Sequence, residues 1–598
     1  MKILLNRKGF TLIEVIVATA IFVLFAVGIY GGITLIFKIV YQSRTRILET
    51  GILAEQLEVV RNLPYDSVGI ISGVPAGVLP HTTTTVRNGE IFTLITTIRN
   101  IDDPFDGTAS GTPHDLSPAD FKLVEMSAIC QNCLQQASVI LSTIVAPKQL
   151  EGASVNGALF IQVFDADGLP VAGADVSVTN TARTPLIIVN DTTGNDGYLR
   201  IIDTTTGTRS YYINVSKPGY STDYTVVSGP SAPTPIKPPA NVVSQDVTDI
   251  SFSIDRLSNL TLHTINTACA ALGSVRLNMS GAKKIAIDPD IYKFNKNFTT
   301  DASGNYSFPN IEWDTYFLST TGTISYDVAG AMPMLPLAIN PGLTQDAKVI
   351  LQAHTANSLL VNVVDAGTGL PLSDATVELT GTSYDVTVLT GYGYTRQTDW
   401  SSGSGQINFT NPKKYFADSG TVNYSSYPGD LKLKKSGLYY ANNGWLESST
   451  FDLGTQVNFN NIIFKYSAQT QCGANPVTFQ FASSNTSTPS SWSYKGPDGT
   501  AGTFYTATNT LIWSGNDNNR YFRYKVFLNT SSTSYTPTLS EVAFTFSTSC
   551  TPPGQVFFSG LSVDTYTLDV SRSGYTTNNG TIDISGNGST LVNMSPSS

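Results

Sequence analysis

Charge is scarce in this chain. Lys and Arg number 35 and Asp and Glu 45, so only 13% of the 598 residues are charged and the formal net charge is -10. Soluble globular proteins carry about 25%, so a typical cytosolic enzyme is a poor match, and the Ser/Thr/Asn/Gly-rich texture suits exported β-modules. Disorder is excluded as well: 41% of residues are hydrophobic and 10% aromatic, enough for several cores. An acidic chain read as having no basic cluster repels phosphates, so nucleic acid is not an expected partner. Cysteine is sparse, at Cys130, Cys133, Cys269, Cys472 and Cys550. Five are too few for a disulfide scaffold but enough for local staples in an oxidising compartment. Histidine is limited to His81, His114, His263 and His354. The chain has no H-E-x-x-H, G-x-S-x-G or phosphate-binding loop motif. No enzyme and no catalytic residue is expected. At about 150 residues per domain, the length predicts roughly four domains.

What is present begins at the N-terminus. Lys2, Arg7 and Lys8 precede Gly9-Phe10-Thr11-Leu12-Ile13-Glu14, and residues 15–37 carry no charge. A helix of that length covers about 34 Å at roughly 1.5 Å per residue, enough to cross a bilayer. The basic leader stays on the cytoplasmic side by the positive-inside bias. A cleaved signal peptide ends in small residues after its apolar run, and this run meets Lys38, Arg44 and Arg46 instead. Apolar residues Leu48, Ile52, Leu53, Leu57, Val59 and Val60 extend the helical pattern as far as Pro64, which forbids its continuation. Glu14 lies inside the apolar stretch, where a carboxylate needs a partner.

The string Lys8-Gly9-Phe10-Thr11-Leu12-Ile13-Glu14 resembles the prepilin signal of type IV pilins and pseudopilins, over about residues 5–63. The resemblance implies that a prepilin peptidase cuts between Gly9 and Phe10 and N-methylates Phe10. It implies that Glu14 pairs with the Phe10 amine of a neighbouring pilin subunit during assembly. The helix is then kept as a single-pass anchor in the inner membrane before pilus or surface display.

Residues 81–86 and 91–99 flank Asn88-Gly89, a strong hairpin signal. Residues 121–129 and 135–145 read as a second pair, giving four strands on a long helix, which resembles the pilin head. Cys130 and Cys133, at the turn between the last two strands, read as a structural disulfide, a redox pair or a zinc half-site, with the disulfide preferred. Asp102, Asp103 and Asp106 cluster beside Gly107, with Asp115 and Asp120 further on. They form either a calcium site or an acidic solvated turn. The spacing matches no EF-hand, and the calcium precedent comes from some pseudopilin heads by resemblance. No other cofactor is expected.

A repeat follows. Asp165-Ala166 and Gly168-Leu169-Pro170 recur as Asp365-Ala366 and Gly369-Leu370-Pro371, each after an alternating strand, and a weaker copy opens at Ser258. Asp196-Gly197-Tyr198 and Ser303-Gly304-Asn305 mark a shared later turn. These segments resemble carboxypeptidase-regulatory-like domains, which implies immunoglobulin-like sandwiches used as spacers. The third copy opens at 358–380 with a strand at 405–409, and its closing half appears only from Gly554 to Tyr575. Residues about 415–550 are therefore expected to be a domain inserted into a surface loop, with Cys472 and Cys550 as its disulfide. The insert loosely resembles discoidin or galactose-binding-like jelly rolls. Trp492 and Trp513, with Tyr505 and Asn518, are then glycan-binding candidates, although aromatics in sandwiches more often serve as core.

The expected fold is mainly β with one long N-terminal α-helix. A pilin-like α+β head is followed by tandem immunoglobulin-like β-sandwiches and an inserted jelly-roll-like sandwich. Its parts are a leader 1–9, helix 10–63, head 64–150, repeats 155–256 and 257–354, a split repeat 355–414 with 551–598, and the insert 415–550. The expected function is a minor type IV pilin-like subunit displaying this array for adhesion to a surface glycan or protein ligand. The alternatives are a pseudopilin-like component of a secretion or DNA-uptake system and a membrane-anchored glycan-binding protein.

Overall fold

A computed structural model describes residues 11–133, 137–148, 154–322, 325–424 and 429–597. One helix, Leu12–Arg61, runs for 50 residues, about 75 Å, and among the described residues after it the elements are strands and short 3₁₀ segments. Its first half is exposed along its whole apolar surface. Ile52, Leu53, Leu57 and Val60, spaced on one helical face, are buried against Phe92, Leu94, Ile98, Val124, Met126 and Ala128. Those residues alternate along Glu90–Ile101 and Phe121–Cys130, the central strands of a four-stranded antiparallel sheet. Asn88 and Gly89 both take positive φ at the first hairpin, as a two-residue turn between twisted strands requires.

The chain divides into two compact units, 1–257 with 285–291, and 258–284 with 292–598. In the first, the head meets a β-sandwich. Arg99 of the head sheet donates twice to Asp191, at 2.6 and 2.5 Å, and the Asn100 side chain donates to the Ile202 carbonyl.

Three sandwiches share one pairing rule. The opening strand of each lies parallel to its closing strand: Gly157–Phe164 with Val247–Ser253, Ser258–Asn266 with Thr344–Ala353, and Ser358–Asp365 with Asn587–Met594. Each has its own buried core. Each also seats a glycine against the opening strand: Val163, Thr264 and Val363 donate their amides to the carbonyls of Gly197, Gly304 and Gly554. Gly554 has φ +67°, and a Cβ there would lie 2.7 Å from the Val363 carbonyl oxygen, so only glycine fits without strain.

Between Leu389 and Gln555 the third sandwich is interrupted by a ten-stranded sheet assembly. It already includes Gly393–Gln397, which pairs with Thr538–Ser547. The strand expected at 405–409 is absent. Phe409 instead packs against the core of the ten-stranded assembly, and the Gln406 side chain donates to Ser449. That core holds Trp400, Tyr524 and a group of phenylalanines from the 17-residue strand Phe451–Ser467 and its neighbours. A buried polar chain crosses this core: Trp400 Nε1 donates to Tyr524 Oη, which donates to Gln397 Oε1.

Candidate functional site

The acidic loop of the head does not gather as its spacing implied. Carboxylate oxygens of Asp102, Asp115 and Asp120 lie within 4.8 Å of one another, whereas Asp103 and Asp106 are exposed. Asp103 Oδ1 accepts from the Phe105 amide at 3.1 Å, and the Asp103 amide donates to the Asp120 carboxylate. Of the five aspartates singled out in the sequence, the ones whose carboxylates converge are Asp102, Asp115 and Asp120. Asp102 Oδ2 accepts from the Ala109 amide at 2.8 Å, while Asp102 Oδ1 and Asp115 Oδ2 are buried and accept no hydrogen bond. Burial, and then the neighbouring charges of Asp115, Asp120 and Asp106, push the Asp102 carboxyl above its usual range. Oxygen donors of like charge, converging and under-satisfied, fit a hard divalent cation such as calcium.

The aromatic candidates of the insert are occupied on at least one side. Trp492 lies 5.2 Å from the guanidinium of Arg523, which also stacks on Phe416 at 4.0 Å and pairs with Glu447 at 2.8 Å. Arg523 is only 4% exposed, so Trp492 roofs a buried ion pair. Trp513 presses on Gly499 and Gly515, where a Cβ would come within 2.4 and 2.2 Å of its ring. Tyr505 is fully buried, its hydroxyl accepting from the Trp513 amide. Asn518 donates its amide to the Val457 carbonyl and accepts at its own carbonyl from Asn485 Nδ2.

One of the two expected cysteine pairs is replaced by another. Cys130 and Cys133 are bonded to each other, and Cys550 is bonded to Cys269 rather than to Cys472. Cys472 is a buried free thiol. Cys269 follows the opening strand of the second sandwich and Cys550 follows the last strand of the insert, so the bond joins modules far apart in sequence. Ile265, Ala329 and Ile350 pack around it, and Gln555 of the third sandwich exchanges two hydrogen bonds with the backbone of Ala331 in the second.

At the N-terminus, Gly9 and Phe10 lie outside the described residues. Immediately after them Thr11 caps the helix. Its hydroxyl accepts from the Glu14 amide at 3.4 Å, and the Glu14 carboxylate accepts from the Thr11 amide at 2.9 Å. This reciprocal capping box fixes where the helix starts. Exposed apolar side chains follow from Leu12 to Val40, and among the described residues this is the one helix long and apolar enough to cross a membrane.

Residues 4–30 match the prokaryotic N-terminal methylation motif.

The matched segment takes in residues 12–30 of the helix, and no curated protein matches the chain. Among solved structures, the Bacillus anthracis TIE protein is 15% identical, over 52% of this chain and about half of that one, with a TM-score of 0.15. The shaft pilin SpaA of Lactobacillus rhamnosus GG is 12% identical, over 33% of this chain and 99% of that one, at 0.15. The minor pilin GBS52 of Streptococcus agalactiae is 12% identical, over 33% and 96%, at 0.17. Scores this low establish no structural equivalence. The motif, the single apolar helix and the β-rich body stand on the chain's own residues.

Proposed function

We propose that this chain is a minor type IV pilin-like subunit, cut between Gly9 and Phe10 by a prepilin peptidase and carried to a pilus or the cell surface. The methylation motif running without a break into a 50-residue helix carries the reading. The helix leaves its membrane half exposed for lipid or for neighbouring pilin subunits, and only its second half is claimed by the head. Glu14, already at the start of the helix, meets the free amine of a neighbour's Phe10 after the cut and sets subunit register. The three sandwiches and the insert, 155–597, form the displayed array. In this assignment Gly393, not residue 415, opens the insert. The array is too bulky for every subunit of a helical lattice, which favours a minor position. Asp102, Asp115 and Asp120 hold calcium and brace the head loop.

N-terminal sequencing of the mature protein tests the processing step. Methylated Phe10 is expected in cells with a prepilin peptidase, and intact Met1 in cells without it. A start at Met1 in both, or a start beyond Phe37, overturns the proposal. Sheared surface fibres containing the protein separate a pilus subunit from a pseudopilin retained in the envelope.

A further inference from the structure

The insert carries a feature that neither the motif nor the sandwich array uses. Strands Lys435–Ser436 and Tyr439–Tyr440 form a short hairpin closed by Gly437 and Leu438. At its tip Leu438 is 80% exposed and Tyr439 59%. Lys434 and Lys435 flank the tip and are exposed, and Lys432 is half-buried one strand residue earlier. Three lysines within four positions form a local basic cluster in an acidic protein, contrary to the reading from composition.

The hairpin is held stiffly at its base. Leu431 and Leu433 are buried in the insert core, Tyr440 donates its amide to the Thr533 carbonyl at 2.7 Å, and Ala441 to the Lys434 carbonyl at 2.9 Å. Beside it, Leu433 donates its amide to Thr536 Oγ1, and Ser531 donates to the Cys472 carbonyl. Three chain segments therefore meet at this end of the insert, 431–446, 467–481 and 525–540. The carboxylates that border them are Asp430, which is half-buried, and Glu447 and Glu541, which pair with Arg523 and Arg396, and the last segment adds Lys525 and the exposed Tyr535. Asp418, near the Lys434 contact at Gly420, already accepts from the Tyr415 hydroxyl and the Gly420 amide.

We infer that this hairpin tip docks on the surface of an anionic lipid bilayer, Leu438 and Tyr439 entering the headgroup boundary and Lys434 and Lys435 meeting lipid phosphates. An amphipathic aromatic at the interface ringed by lysines is the composition that such surfaces select. Basic side chains near an anionic leaflet are attracted while the rest of an acidic protein is not, so the field orients this end toward the membrane. Two apolar side chains are too small a patch for a stable protein interface of about 800 Å² per partner. An acidic polysaccharide would satisfy the lysines and leave Leu438 in water. The inference deepens the display reading, which brings the insert to another surface. Its test needs neither processing nor a fibre, so the two fail separately.

The full chain is reconstituted in phosphatidylcholine nanodiscs, which occupy its N-terminal helix, and mixed with separate vesicles for co-flotation. Vesicles containing 30% phosphatidylglycerol, a composition of about the charge at which lysines bind, are expected to capture the protein at least tenfold better than pure phosphatidylcholine. Substituting Leu438→Ser with Tyr439→Ser, or Lys434→Gln with Lys435→Gln, is expected to cut capture about tenfold or more. Lys296→Glu, an exposed site in the second sandwich, is expected to leave it unchanged. Equal capture by both vesicle types, capture unaffected by the Leu438/Tyr439 pair, or loss of capture in Lys296→Glu overturns the inference. So does capture by heparin beads that survives the Leu438/Tyr439 pair while vesicles capture nothing.

Discussion

Replacing Gly554 with alanine is expected to open the third sandwich without disturbing the ten-stranded insert that immediately precedes it in sequence. The left-handed conformation at φ +67° costs a non-glycine residue about 1–2 kcal/mol. The added Cβ would also lie 2.7 Å from the Val363 carbonyl oxygen, 2.8 Å from Pro371 Cβ and 2.9 Å from the Leu372 amide nitrogen. None of these can retreat freely, because Val363 donates to the Gly554 carbonyl and Leu372 donates to the Val363 carbonyl. Overpacking of this kind costs about 1–3 kcal/mol, so a total near 3 kcal/mol is expected, roughly a hundredfold in the opening equilibrium. Hydrogen exchange followed by mass spectrometry on the full chain reads this directly. Peptides covering Ser358–Asp365 and Asn587–Met594 should exchange roughly a hundredfold faster, while those from Phe451–Ser467 and Asn519–Asn529 should not change. Gly197→Ala and Gly304→Ala should do the same, each to its own sandwich. Faster exchange confined to the insert, or no change at Ser358–Asp365, would refute the assignment of Gly554 as the partner of the opening strand.

Other outcomes follow from the sites. Glu14→Gln should be cut and methylated normally yet be lost from sheared fibres by immunoblot, since only subunit pairing needs its charge. A non-reducing peptide map should join the Cys269 and Cys550 peptides, and Cys472 should resist alkylation until the chain is unfolded. Calcium should raise the melting temperature of the head, and Asp102→Asn or Asp120→Asn should remove most of that shift in calorimetry. Because the Asp102 carboxyl titrates above its unfolded value, the native loop binds the extra proton. Without calcium, head stability should therefore fall as pH rises from the ordinary aspartate range through the raised one. Saturating calcium or Asp102→Asn should flatten that slope.

The local features were legible because local chemistry controls them. The helix stops before Pro64, Asn88-Gly89 makes its hairpin, and alternation along residues 91–99 marks the buried face of the head sheet. What escaped was pairing over distance. A pattern such as that of residues 157–164 announces a strand but not a parallel partner some ninety positions later. Cysteine connectivity cannot be deduced from spacing: proximity in sequence favours Cys472 for Cys550, whereas its partner, Cys269, lies across a module boundary. The acidic loop misled for a related reason. Asp102, Asp103 and Asp106 are close along the chain, but consecutive loop residues point in different directions, and the chain must return from residue 115 to 120 to complete the group. Trp492 and Trp513 show the ambiguity of aromatics: nothing in their flanking residues distinguishes a binding platform from a roof over Arg523 or a lid on Gly499.

The Cys269–Cys550 bond also has a mechanical meaning for a displayed array. A surface that seizes the insert loads its two exits. One leads through Tyr384–Leu389 into the third sandwich. The other reaches Cys550 three residues beyond Ser547 and passes through sulfur to Cys269, next to the opening strand of the second sandwich. Along that second route a sequence separation of 281 residues between the two cysteines is short-circuited. The pull runs from the insert to the second sandwich without unravelling the third, and the extensible length of the tether is limited to what lies N-terminal to Cys269.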